Sequence, residues 1–76
     1  MDVRRRVGLN LKRIRQEQGL SQEEFAFRAG VHRTYVSGIE RGVRNPTVVV
    51  LEELAQALGV PTTQLLEELP RKQASH

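Results

Sequence analysis

The sequence predicts an all-α domain built from five short helices. Apolar residues recur at intervals of three and four along most of the chain, and a glycine or a capping side chain stands where each stripe breaks. Small residues at Ala26 and Gly30 sit where two of these helices must cross at close quarters. Val3, Val7, Leu11 and Ile14 mark one stripe of a first helix, about 3–18, stopped by Gly19, after which Leu20 folds back on the last turn. Ser21 and Glu24 form an S-x-x-E capping box that opens a second helix, about 22–29, with Phe25, Ala26 and Ala29 inward. The third, about 33–41, turns Val36 and Ile39 inward and stops at Gly42; His32 falls at its cap, a position usually given to Ser, Thr, Asp or Asn. Thr47 caps a fourth helix, about 48–58, which carries Leu51, Leu54, Ala55 and Leu58 inward and ends at Gly59. A fifth, about 62–69, follows Pro61 and carries Leu65, Leu66 and Leu69. Residues 1–70 are expected to form one domain, and the tail 71–76, RKQASH, to be disordered.

At 76 residues the chain has room for one shared core, which leaves no space for an inducer-binding or enzymatic module of ordinary size. It has no cysteine, so neither a disulfide framework nor a thiolate metal site is expected, in keeping with a cytoplasmic protein. The longest unbroken apolar run, Val48 to Leu51, is too short to cross a bilayer, and no membrane association is expected. Net charge is +3, distributed unevenly: the first two-thirds is basic, while Thr47 to Pro70 holds acidic and no basic side chains. Such asymmetry suits a polyanion on one side of the domain.

Between Gln22 and Gly42 the chain reads QEEFAFRAGVHRTYVSGIERG. Ala26 keeps one helix thin where the next crosses it, Gly30 takes the positive φ of a tight turn, and Val36 and Ile39 face inward one turn apart. Arg33, Thr34, Tyr35 and Ser37 then point outward together, a surface able to read DNA. This segment resembles the helix-turn-helix of the Cro and phage-repressor group, the Xre family. The resemblance is carried by GLSQEEFAFRAG, YVSGIERG and RNPTVVVLEELAQALGV, from about Val7 to Leu66, and it implies a lambda-repressor-like DNA-binding domain. The string RTYVSGIERG is similar to the version found in controller proteins of restriction–modification systems.

The resemblance implies that the third helix enters the major groove, with base contacts from Arg33, Thr34 and Ser37. Arg33 is the strongest of these, because a guanidinium can bond both O6 and N7 of guanine. Backbone contacts are expected from Gln22, Tyr35, Arg41, Arg44 and Asn45, which would fix register without reading sequence. Gly38 stands where related repressors often carry another reading side chain. Arg15 and Glu40 align with a family ion pair joining the first helix to the third.

One recognition helix reads too few base pairs to find a site in a genome, so a homodimer on an inverted repeat is expected. Val48, Val49, Val50, Leu65, Leu66 and Leu69 are the candidate pairing surface, since three successive valines cannot all face one core. The functional expectation is an autoregulatory transcriptional regulator of double-stranded DNA, repressor or activator, with no cofactor, metal or small-molecule ligand. RNA polymerase is a further candidate partner through Glu23 and Glu24. The alternative is an antitoxin-like protein-binding module whose main partner is a toxin. An enzyme is not expected: the histidines are His32 and His76, and neither a P-loop nor a nucleophile motif occurs.

Overall fold

The computed structural model describes residues 1–68, and among them the helices are α1 Val3–Glu17, α2 Gln22–Ala29, α3 Arg33–Glu40, α4 Val48–Leu58 and α5 Thr63–Leu66. Local chemistry starts most of them. Asp2 caps α1 by accepting from the Arg4 amide at 2.7 Å, and its bond to the Arg4 guanidinium is the main reason its carboxyl is held at a pKa of about 2. At α2 the capping box closes in both directions: the Glu24 amide donates to Ser21 Oγ at 3.0 Å and the Ser21 amide to Glu24 Oε1 at 2.9 Å. That second bond draws the Glu24 carboxyl below its ordinary pKa. Thr47 Oγ1 accepts from the Val50 amide at 3.1 Å and begins α4. The start of α3 is the exception, for His32 makes no side-chain cap bond.

The α2–α3 turn depends on Gly30, whose φ of 73° lies in the left-handed region that side chains with a Cβ avoid. The Val31 amide then donates back to the Ala26 carbonyl at 3.0 Å, satisfying an acceptor that the end of α2 would otherwise leave open. Around this corner α1 packs on α3 and α5, and α2 packs on α3 and α4. Leu11, Phe25, Val36, Ile39, Leu54 and Leu65 meet in the centre with no solvent exposure. Burial of side chains of this size stabilises by about 1.5–3 kcal/mol each before the entropy of ordering is counted. One core therefore fixes every helix relative to α3.

Two side chains close helix ends through long-range bonds. Asn10, fully buried on α1, donates through Nδ2 to the carbonyls of Leu65 at 3.0 Å and Glu67 at 2.8 Å. Gln18 Nε2 donates to the Leu58 carbonyl at 2.7 Å, at the end of α4. Both satisfy acceptors left open at a helix C-terminus.

Several expectations are corrected. Helices α1 and α3 each end one residue early, with Gln18 and Arg41 as their C-caps. The fifth helix is a single turn instead of the 62–69 expected, because Glu67 turns extended (φ −63°, ψ 145°) where Asn10 takes its carbonyl. Leu65 is fully buried inside one chain, so it belongs to the core and not to a pairing surface. Val50 is half-buried against that core. Val3, expected inward, is 48% exposed and lines a shallow cleft with Val7, Leu51 and Leu66. Leu69, Pro70 and the tail lie outside the described residues.

Candidate nucleic-acid interface

Helix α3 presents two contrasting faces. Val36 and Ile39 are sealed in the core, while Arg33 and Thr34 are exposed and Ser37 and Tyr35 half-exposed. Arg33, Ser37 and Arg41 follow at intervals of four and so share one edge, with Thr34 beside them. Arg41 Nε donates to Ser37 Oγ at 3.4 Å, which ties the end of this edge to its middle. Arg33, Arg41 and Arg44 have no ion-pair partner among the described residues. Uncompensated cations thus stand at the start of α3, at its C-cap and in the loop that follows.

The back of α3 is anchored by a buried ion pair. Arg15 of α1 grips Glu40 with two parallel bonds, Nε to Oε2 at 2.7 Å and Nη2 to Oε1 at 3.1 Å. Its remaining arm donates through Nη1 to the Leu20 carbonyl at 2.6 Å. Both side chains are more than nine-tenths buried. Gln22 adds a bond missed by the sequence reading: its Nε2 donates to Glu40 Oε1 at 2.9 Å. The side chain expected to reach outward for DNA is instead tied, at one end, to the group that fixes α3.

Other positions were invisible to stripe and capping patterns. Gly8 on α1 is buried where α1 crosses the end of α3, and a Cβ there would collide with the Ile39 carbonyl oxygen and stand 2.7 Å from that of Glu40. Asn10 and Gln18 act on partners 40 or more residues away, which no local pattern announces. The loop after α3 folds back on the helix, the amides of Val43 and Arg44 donating to the Gly38 carbonyl. Arg44 lies along α3, its guanidinium carbon 5.5 Å from the Tyr35 ring centroid, a cation–π distance. Asn45 beside it is exposed.

Comparison with known proteins gives this geometry a family. The model described as helix-turn-helix matches residues 11–65. The chain belongs to that helix-turn-helix family. It is 54% identical over 66 residues to the uncharacterized HTH-type transcriptional regulator y4dJ of Sinorhizobium fredii, covering 87% of this chain and 86% of that protein. Among solved structures, the restriction–modification controller protein C.AhdI from Aeromonas hydrophila superposes with a TM-score of 0.79 at 42% identity, over 82% of this chain and 94% of that one. The controller protein C.Esp1396I, solved as a tetramer in complex with its natural 35 base-pair operator, matches with a TM-score of 0.76 at 33% identity, over 88% of this chain and 99% of that one. The all-α, five-helix expectation and the resemblance to Cro-type and controller proteins are both borne out. Among the described residues no helix of this helix-turn-helix protein is long and apolar enough to cross a membrane.

Proposed function

We propose that this protein is a sequence-specific, double-stranded DNA-binding regulator of transcription that acts as a homodimer on an inverted repeat. The observation that carries the reading is the outer edge of α3, where Arg33, Thr34, Ser37 and Arg41 stand on a helix locked from behind by Arg15 and Glu40. Arg33 and Thr34 at the start of α3 face base edges, and Ser37 follows one turn later. Tyr35, Arg41, Arg44 and Asn45 serve the flanking phosphates. Gln22 contributes chiefly through the positive end of α2, since its side chain is engaged with Glu40. A regulator is favoured over the antitoxin-like alternative by the relatives, whose names are those of transcriptional regulators and controllers.

The test is footprinting on the DNA upstream of the gene across a range of salt. Arg33→Ala should weaken binding by about 1–3 kcal/mol per half-site, roughly fivefold to 150-fold for each, and relax the choice of one base pair per half-site. Equal protection of the site by Arg33→Ala and the unaltered protein would remove Arg33 from the code.

Dimerisation is supported by apolar surface that one chain leaves open. Val48 and Val49 are 78% and 67% exposed at the start of α4, and Leu66 of α5 is partly exposed as well. Contiguous apolar surface of this kind suits contact with another protein. Val49→Asp should therefore yield a folded monomer that has lost cooperative binding to the full repeat. Sedimentation showing the same mass for both proteins would contradict this. An acidic contact with RNA polymerase would fall to Glu23, because the Glu24 carboxylate is engaged in the capping box.

A further inference from the structure

Gly38 occupies the middle of α3, where alanine would be intrinsically better, yet the position is buried. Arg44 is what covers it. A Cβ at position 38 would stand 2.5 Å from Arg44 Cγ, 3.4 Å from its Nε and 3.5 Å from its Cδ, so the aliphatic stem of the arginine occupies the space that any side chain would need. The backbone brings the loop to this place: the amides of Val43 and Arg44 both donate to the Gly38 carbonyl, at 3.0 and 3.2 Å. Tyr35 supplies the other wall: its side chain packs against the core, and the Arg44 guanidinium lies over its ring. No carboxylate among the described residues neutralises Arg44.

We propose that Gly38 and Tyr35 are positioning residues for DNA binding: together they form a seat that lays Arg44 along the recognition helix and holds its charge ready for a phosphate beside the half-site. This rests on the regulator reading above. The physical gain is preorganisation. An arginine free in a loop loses rotamer freedom when it meets a phosphate, whereas one already laid over a bare Cα and an aromatic face has less to lose. The missing side chain at position 38 is therefore no gap in the reading surface. It is the space into which a neighbouring cation fits.

The experiment compares Gly38→Ala, Tyr35→Leu, Arg44→Ala and the double variant Gly38→Ala/Arg44→Ala with the unaltered protein. Affinity for the footprinted site is measured against salt, and thermal melting is followed alongside. Arg44→Ala should reduce the slope of log K against log salt by about one per protomer, hence about two for the homodimer on its full site, uniformly over sequences, as loss of one phosphate contact in each half-site requires. Gly38→Ala and Tyr35→Leu should reproduce that slope change, and the double variant should bind no more weakly than Arg44→Ala alone. A purely structural role would shift the melting temperature of Gly38→Ala and leave its salt slope alone. A slope in Gly38→Ala equal to that of the unaltered protein, or losses that add in full in the double variant, would overturn the proposal. Absence of site preference in the unaltered protein would instead overturn the regulator reading first.

Discussion

Glu40→Ala is expected to lower the stability of the fold by about 3–5 kcal/mol, the cost of stranding one charge of a buried pair. Arg15 has no water to return to, since it is held between α1 and α3 by Glu40 and the Leu20 carbonyl. A domain of this size is stabilised by roughly 4–11 kcal/mol in total, at about 0.05–0.15 kcal/mol per residue, so the loss is a large share of it. DNA affinity should fall with it, because the same carboxylate fixes α3 to α1 and holds Gln22 of α2. Removing the stranded charge as well separates the two effects: Arg15→Met/Glu40→Leu should recover most of the stability, since apolar side chains of similar size can replace a buried pair at little cost. Urea denaturation of the three proteins reads both predictions. Coincident transitions for Glu40→Ala and the unaltered protein would show that the pair contributes nothing to the fold.

That pair was legible in the sequence only through family resemblance, and its third member was not legible at all. Gln22 opens a helix where the resemblance implied a DNA backbone contact, and nothing in its neighbours along the chain says that Glu40, 18 residues on, takes its amide. Local signals fared differently. The Ser21–Glu24 box, the Thr47 cap and the left-handed Gly30 are each decided within a few residues, and the structure shows all three. The inward stripe of α4 is likewise present, because burial repeats with helical period whatever the partner. Leu65 and Leu66 show where periodicity stops being enough: adjacent leucines on a one-turn helix differ in burial according to where Asn10 and the core meet α5. The recognition edge itself followed from α3 having one buried face, but the placing of Arg44 did not. Its seat is made by a residue with no side chain, and a pattern of side chains cannot register it.

Gly8→Ala should be the second large lesion, with a net loss of about 2 kcal/mol. Alanine in a helix interior normally gains about 0.5–1 kcal/mol over glycine. Here that gain is overwhelmed, because the added methyl group would meet the backbone carbonyls of Ile39 and Glu40 instead of a side chain able to swing aside. Overpacking that shifts backbone costs about 1–3 kcal/mol, and a contact with two carbonyls lies at the upper end of that range. For a domain of this length about 4–8 °C of melting temperature accompanies each kcal/mol, so a drop on the order of 8–16 °C is expected in a thermal scan. An unchanged melting temperature would mean that α1 and α3 can part without cost. The geometry argues against it: Gly8 and Arg15 are seven residues apart on the same face of α1, and both act on Glu40, one on its carbonyl and the other on its carboxylate. Pushing the helices apart at Gly8 therefore stretches the Arg15 pair as well. The two buried glycines, Gly8 between α1 and α3 and Gly38 under Arg44, then separate cleanly by what must yield to a methyl group. At Gly8 it is backbone, and stability is lost; at Gly38 it is the flexible stem of an exposed arginine, and the loss falls on DNA binding.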